Sequence, residues 1–238
     1  MAEPLPTIDR ALLSTLVRGA EKTFENAERL YFEAELLTKA GAAARALCLH
    51  QISLEECSKI ESIGAWATSL LAGVDVNQDK VLSALRRHSS KNKSNAYMME
   101  GTHAERDAKA SGNWEGMREA FSNFQKEFHA KSNDAKNASL YVDWKDGEFV
   151  SPSEQITDEM LAKIVDRNRT FLGYAHNGLN MLRGLDKSPE ALQDLVVDFI
   201  ETAKKLRVEM PNDPEKVGNT LIHRFLDAGM KRLTGKTD

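Results

Sequence analysis

A long amphipathic pattern near the start of the chain sets the expected fold class. From Thr7 to Ala40, apolar residues recur at intervals of three and four, the spacing of one face of an α-helix. These positions are Ile8, Leu12, Leu16, Ala20, Phe24, Ala27, Leu30, Ala34 and Leu37. Aromatic residues make up only 7% of the chain and β-branched runs are scarce, which favours packed helices over a sheet. The pattern therefore predicts an all-α protein.

Further helices are predicted in the first half of the chain. Gly41 ends the first helix, and a second is expected from Ala42 to about Gly73. Asn77 is a plausible N-cap for a third helix, whose stripe becomes more polar after His88. Gly101 to Asn113 has two glycines and few apolar residues, so a loop or frayed helix is expected there. A clean apolar face then predicts a helix from Trp114 to about Asn137. Leu16 of the first helix and Phe124 of this one are predicted core positions.

The second half begins with a short non-helical flap. Two β-prone runs flank Asp146-Gly147, which predicts a small hairpin or extended flap within 140–150. Long helices are expected from about Thr157 to Gly184, and from Ser188-Pro189 to about Met210. A last helix would carry Val217, Leu221, Phe225 and Met230. The predicted organisation is a helical domain over 1–186, with its flap at about 138–152, and a C-terminal helical pair over 187–238 packed on the same domain.

Composition limits the classes of protein to which the chain can belong. Its 238 residues suffice for a sizeable core, and 41% hydrophobic with 29% charged residues is ordinary globular usage. No apolar run approaches the roughly 20 residues needed to cross a bilayer, so a cytoplasmic protein without membrane contact is expected. A net charge of −4 argues against coating nucleic acid by charge alone. Cys48 and Cys57 lie on opposite faces of one helix and are expected to be free and buried.

Three stretches together resemble one protein family. The first runs from Lys39-Ala40-Gly41-Ala42 into Leu54-Glu55-Glu56-Cys57-Ser58-Lys59-Ile60. The second is His88-Ser89-Ser90-Lys91, and the third is Lys136-Asn137-Ala138-Ser139-Leu140-Tyr141-Val142-Asp143 with Gly147 and Ser151-Pro152. In this order, over roughly residues 20–160, they resemble the AbiV-type abortive infection proteins of bacterial phage defence.

The resemblance implies a fold and an activity. It implies a HEPN-like helical bundle, a class that often forms homodimers and in many members cuts RNA without a metal. It also implies a role in limiting phage multiplication, by acting on RNA (possible targets being tRNA or ribosome-associated RNA) or on the translation machinery once a phage protein activates it. The chain is then a candidate metal-independent endoribonuclease without a cofactor.

HEPN ribonucleases use an arginine and a histidine separated by about four to six residues, and two pairs here fit that pattern. Histidine can transfer protons near neutral pH, and arginine can stabilise charge on a phosphate. Arg169 and His176 are seven apart and return to one helical face, whereas Arg45 and His50 diverge by about 140°. Arg169 and His176 are therefore the candidate catalytic residues, with a structural role as the alternative. His50 is expected on a packed face.

A second polar group accompanies the family motifs. Glu56 falls on an apolar stripe, where a carboxylate needs a partner. Either it forms an ion pair within the bundle, as is favoured for Glu55, or it joins Lys59, His88 and Lys91 in a polar pocket. No metal site is predicted, because the Glu-x-x-His spacing of metal ligands occurs only once, in a stretch whose helical pattern is weak. No phosphate-binding glycine loop is predicted either, since Gly235-Lys236-Thr237 has no helix after it.

Two functions of different classes remain open from the sequence. The first is an RNA-cutting defence effector that works as a homodimer. The alternative is a non-catalytic helical binding module that senses or sequesters a phage or translation component.

Overall fold

The computed structural model describes residues 5–87, 102–210, 216–218, 220–221 and 223–224. Within them the order of elements is α1 (Arg10–Lys39), α2 (Ala43–Leu71), α3 (Gln78–Arg86), α4 (His103–Ala110), α5 (Trp114–Ala138), β1 (Asp143–Lys145), β2 (Glu148–Val150), α6 (Pro152–Gln155), α7 (Asp158–Lys187) and α8 (Pro189–Glu209). The prediction of an all-α bundle with a small flap is confirmed.

Helices α1, α2 and α7 form the centre of the bundle and pack against one another. The side chain of Asp9 caps α1 by accepting a hydrogen bond from the Leu12 N–H at 2.9 Å. Gly41 has a φ of +76°, a left-handed conformation that suits glycine, and reverses the chain from α1 into α2. The apolar stripes of the three helices meet in one core; members include Leu13, Leu16, Leu54, Ile60, Leu71, Phe171 and Leu179.

Helix α5 packs against α2, and the hairpin follows it in the chain. Asp146 and Gly147 both have positive φ, +51° and +93°, as a tight type I′ hairpin turn requires. The strands pair antiparallel, with Trp144 opposite Phe149. The predicted flap is therefore confirmed as a hairpin, and its side chains are largely exposed.

Two local expectations are wrong. Gly101 to Asn113 was expected to be a loop or frayed helix, but residues 103–110 form helix α4. A capping box holds its start, because the Thr102 hydroxyl accepts from the Glu105 N–H and the Glu105 carboxylate accepts from the Thr102 N–H. The aromatic face of α5 is also less buried than expected: Phe128 belongs to the core, whereas Phe124 is half-buried beside a cavity.

Helix α8 closes one end of the central bundle. Its Gln193 side chain is buried and donates to the carbonyl oxygens of Pro6 at 2.6 Å and Leu71 at 2.9 Å. Glu190 forms an exposed ion pair with Arg10 at the start of α1. The division into 1–186 and 187–238 remains a prediction. Of the expected last helix, Val217 and Leu221 are helical, and Phe225 and Met230 lie outside the described residues.

Both cysteines of the chain lie in α2. Cys48 and Cys57 are free and buried, as predicted. Burial raises the pKa of the Cys57 thiol to about 12, so it stays protonated at neutral pH. Across the described ranges, no helix combines the length and apolarity that a membrane span requires.

Replacing Leu16 with Ala should lower the free energy of unfolding by about 2–5 kcal/mol, because it leaves a cavity in a fully packed core. Urea titration followed by circular dichroism measures the change. Leu82, which is 40% exposed on α3, provides the matched control, and its replacement with Ala should cost well under half as much. Equal midpoints for the wild type and the Leu16→Ala variant would refute the core assignment.

Candidate functional site

Three consecutive residues of α7 face three different surroundings. At 100° per residue, Arg167, Asn168 and Arg169 point to different sides of the helix. Arg167 is half-buried against α5, Asn168 is completely buried, and Arg169 is exposed beside α1. The candidate catalytic residue Arg169 is therefore held in place by a neighbour that is locked into the core.

Asn168 connects the three central helices through hydrogen bonds. Its Nδ2 donates to Nδ1 of His50 on α2 at 3.1 Å. Its Oδ1 lies 3.1 Å from the hydroxyl of Ser53, also on α2. That hydroxyl lies 2.7 Å from the carbonyl oxygen of Ala27 on α1, so its one proton is shared between two acceptors. We call Asn168, His50, Ser53 and the Ala27 carbonyl the buried polar network.

His50 is completely buried, which confirms its predicted place on a packed face. Because its Nδ1 accepts the Asn168 amide proton, the neutral ring carries its own proton on Nε2. That atom lies 3.6 Å from the Glu35 carboxylate, too far for a hydrogen bond. Burial lowers the pKa of His50, and the nearby Glu35 charge offsets part of that effect. His50 is thus a neutral member of the core.

Arg169 and His176 lie on one exposed face of α7, the face that borders α1. The Arg169 guanidinium donates a hydrogen bond to the Tyr31 hydroxyl, an interaction that raises the pKa of Arg169. The ring of His176 packs against Phe24, with ring centroids 5.6 Å apart. Seven residues correspond to a rise of roughly 10.5 Å. The predicted shared face exists, with the two groups two turns apart.

The electrostatic surroundings of Arg169 are mixed. A cleft of about 400 Å³ beside Arg169 is lined by the carboxylates of Glu35, Asp158 and Asp166. The Glu35 and Asp166 charges contribute, after the Tyr31 hydrogen bond, to the raised pKa of Arg169. Arg169 therefore stays protonated, but any polyanion that approaches it also meets negative charge.

Arg45 and Arg167 lie away from this face. Arg45 is exposed while His50 is buried, so that pair does not share a surface. Arg167 lies nine residues before His176, or half a turn around α7, and its guanidinium carbon sits 5.3 Å above the centre of the Phe128 ring on α5. Arg167 and His176 therefore do not form one site.

The acidic motif of α2 is held by ion pairs. Glu55 is completely buried and forms an ion pair at 3.1 Å with Lys136 of α5. An ion pair within the bundle is the role that the sequence favours for Glu55. Glu56 pairs with Lys59 on its own helix and accepts a hydrogen bond from Asn26 at 3.3 Å. His88 and Lys91, the other members of the expected polar pocket, lie outside the described residues. That pocket remains a prediction.

Tyr31 and the structural role of Asn168 were not predicted. Asn168 stands seven residues after Leu161 and seven before Ala175, on the apolar stripe of α7. A polar residue in such a stripe requires buried hydrogen-bond partners, so the position of Asn168 was the feature of the sequence that indicates a structural role. Its partners lie 115 and 118 residues away, so the sequence could not name them.

No group of three or more His, Cys, Asp or Glu side chains in the described part of the chain is arranged to hold a metal ion. The exposed face of α7 carries Arg169 and His176, and the Tyr31 hydroxyl of α1 lies beside Arg169. These are proton-transfer and anion-binding groups.

The all-α bundle with its small hairpin has a HEPN-like architecture. The chain belongs to the AbiV family of HEPN proteins: the family model, described as AbiV, matches residues 15–173. The matched range contains Arg169 and the acidic motif of α2, and it ends three residues before His176.

One curated relative is the uncharacterized protein y4gJ of Sinorhizobium fredii (strain NBRC 101917 / NGR234). It is 56% identical over 112 residues, which cover 47% of this chain and 58% of the relative. The chain thus spans little more than half of that relative's length. No solved structure matches the chain.

Stability should fall on acidification in a way that depends on His50. Because burial lowers its folded pKa, the unfolded chain binds the proton more readily, and stability is lost as the pH falls below the unfolded value of 6.5. The urea midpoint of the wild type should therefore drop between about pH 7.5 and about pH 5.5. The drop should shrink in a His50→Gln variant.

His103, an exposed histidine on α4, is the matched control, and its replacement with Gln should leave the pH dependence unchanged. The same pH dependence in the wild type and the His50→Gln variant would contradict the assignment of His50 as a neutral core residue.

Proposed function

We propose that the protein is an abortive infection effector of phage defence that cuts RNA without a metal, using Arg169 and His176. The observation that carries the proposal is the exposure of both side chains on one face of α7, in a chain of the AbiV family. His50, the histidine of the competing pair, is unavailable because it is buried.

The proposed reaction is an internal attack within the RNA. His176 takes the proton from a 2′-hydroxyl, whose oxygen attacks the adjacent phosphorus, and the bond to the 5′-oxygen breaks. Arg169 stabilises the charge that builds on the phosphate oxygens. A histidine from a second copy supplies the proton that the leaving 5′-oxygen needs. The products carry a 2′,3′-cyclic phosphate and a 5′-hydroxyl.

A homodimer is part of the proposal, because Arg169 and His176 of one copy lie two turns apart along α7. Beside this face, α1 exposes Phe32 and Leu36 at 64% and 66%. The Phe32 ring lies 6.1 Å from the ring of Tyr31, which contacts Arg169. Two large apolar side chains one turn apart next to the site are suited to burial against a second copy.

The alternative function is a non-catalytic binding module, and the acidic cleft beside Arg169 favours it. Glu35, Asp158 and Asp166 would repel RNA and attract a basic segment of a phage protein or a translation component. In that case the same face of the molecule sequesters a partner and leaves RNA intact.

Replacing either Arg169 or His176 with Ala should abolish both RNA cleavage and protection against phage, with the fold unchanged, because both side chains are exposed. Purified protein is incubated with total RNA or tRNA in EDTA, and the ends of the products are analysed. Plaque counts measure protection in cells. Loss of at least about 100-fold in cleavage is expected for each variant.

The exposed pair His103 and Arg106 on α4, with side chains 3.4 Å apart, supplies matched His→Ala and Arg→Ala controls that should keep full activity. If wild-type protein protects cells but cuts no RNA, the binding module is correct. If the Arg169→Ala and His176→Ala variants still cut RNA, the catalytic assignment is wrong.

The protein should be a dimer at micromolar concentration, and a Phe32→Asp, Leu36→Asp variant should be a monomer, because charge on this face opposes its burial. Light scattering after gel filtration gives the mass. Val208, which is 81% exposed on α8, provides the control, and Val208→Asp should remain a dimer. A monomeric wild type would remove the second copy from the mechanism.

A further inference from the structure

A cavity of about 800 Å³ lies on the side of α7 opposite to Arg169 and His176. Helices α2, α5 and α7 line it, together with the short helix α6 and strand β1. Arg167 faces this space, and Arg169 and His176 lie about half a turn around the helix axis from it. The volume is that of a small-molecule pocket. A ligand bound here would leave the proposed RNA-cutting face free, so its binding is independent of the proposed function.

Arg167 lines the cavity without an acceptor for its guanidinium. Among the residues that the structure describes, it forms no ion pair and donates no hydrogen bond, and its guanidinium carbon lies 5.3 Å above the centre of the Phe128 ring. Burial lowers the pKa of Arg167, because loss of water disfavours the charged form. The ring compensates part of the lost hydration. A bound anion would supply the missing acceptors, and a guanidinium binds a planar carboxylate through two parallel hydrogen bonds.

A second donor without an acceptor lines the same cavity. Gln51 on α2 is 3% exposed, and its Nε2 has no hydrogen-bond partner among the described residues. Buried amides nearly always have a partner, so this one requires an explanation. The hydrogen bond between His50 and Asn168 holds α2 against α7 at this point. Gln51 and Arg167 are the chain neighbours of those two residues, so both donors lie at the same level of the bundle, beside one space.

The other charges of the described lining balance one another. Two neutral ion pairs, each at 2.6 Å, are Lys131 with Glu127 and Lys163 with Glu159. Lys145 and Asp134 carry opposite charges, which leaves one net positive charge, that of Arg167. A phosphate monoester carries about −1.5 to −2 near neutral pH and exceeds that charge. A carboxylate carries a single negative charge and matches it.

Apolar side chains from three helices line the same space. They are Leu47 of α2, Phe124 and Phe128 of α5, and Met160 and Ile164 of α7. The rings of Phe124 and Phe128 lie 6.0 Å apart. A small inorganic anion would leave this wall uncovered, whereas a ligand with a hydrocarbon body would bury it and gain the free energy of that burial.

We propose that the cavity binds a small organic acid, a monocarboxylate with an apolar body. Its carboxylate accepts hydrogen bonds from Arg167 and from the Gln51 amide, and its body lies against the apolar wall. This ligand supplies the single negative charge, the acceptors and the hydrocarbon surface that the lining requires.

The test is calorimetric titration of the full chain with octanoate, octanamide, acetate and octyl phosphate. Octanoate should bind saturably, with one molecule per chain. Octanamide has the same body without the charge, and acetate has the charge without the body, so each should bind at least about tenfold more weakly. Octyl phosphate should also bind more weakly, because its charge exceeds that of the site. No saturable binding of octanoate, or binding of octanamide or octyl phosphate as tight as that of octanoate, overturns the proposal.

Arg167→Met tests the cation, because methionine keeps an apolar contact with Phe128. Octanoate affinity should fall at least about tenfold, whereas Arg18→Met on the exposed face of α1 should leave it unchanged. Octanoate should raise the urea midpoint of the wild type and not that of Arg167→Met. If Arg167 only supports the packing of α5, the variant loses stability and keeps its affinity, which overturns the proposal.

Gln51→Leu tests the amide separately. The substitution removes an unpaired buried donor, so the urea midpoint without ligand should hold or rise while octanoate affinity falls about threefold or more. Arg169→Ala should bind octanoate normally, so failure of the RNA-cutting proposal and failure of this one give different results. Unchanged affinity in Gln51→Leu removes the amide from the site and overturns the proposed binding mode.

Discussion

The hydrogen bond from Asn168 to His50 is the interaction on which the arrangement of the central helices depends. It lies wholly in the core and, with Ser53 and the Ala27 carbonyl, joins α7 to both α2 and α1. Apolar stripes alone tolerate a change of register more readily, because apolar contacts are non-directional and a shift leaves no polar group unpaired. A buried amide has no such freedom, since losing its partners leaves polar atoms unpaired. The network therefore fixes the register that brings Arg169 beside Tyr31 and His176 beside Phe24.

The residues that carry the family resemblance serve a related purpose at another helix contact. Glu55 belongs to the acidic motif of α2, and Lys136 opens the motif that ends in the hairpin. They meet in a buried ion pair, with side chains 1% and 13% exposed, so the two motifs are one structural unit in the fold. Breaking such a pair from one side strands a buried charge. The residues that carry the resemblance thus include both partners of this contact between α2 and α5, whereas Arg169 and His176 lie outside those three stretches.

Features that depend on near neighbours could be predicted from the sequence, and features that depend on distant partners could not. The stripes of α1 and α7 and the Asp146-Gly147 turn follow from periods of three to four residues and from backbone preference. Helix α4 could have been predicted, because Thr102 and Glu105 have the spacing of a capping box, but the glycines on either side outweighed that signal. Asn168 could be recognised in the sequence as a polar residue within the apolar stripe of α7. Its hydrogen-bond partners lie more than a hundred residues away along the chain, so the sequence could not identify them. Phe124 lies on the predicted apolar face of α5, yet it borders a cavity. The spacing of apolar residues indicates which face of a helix turns inward, and it does not indicate whether that face is fully packed.

Three neighbouring residues of α7 that face a cavity, the core and the surface restrict how this chain can change in length. Inserting one residue in α7 between Arg169 and Ala175 would rotate everything beyond it by about 100°. His176 would leave Phe24 and the face it shares with Arg169, while Ala175 and Leu179 would turn out of the core. No side-chain substitution could repair both losses. An insertion in the exposed hairpin would meet no such constraint. In this fold we therefore expect insertions in the hairpin, and substitutions without a change of length in the long helices.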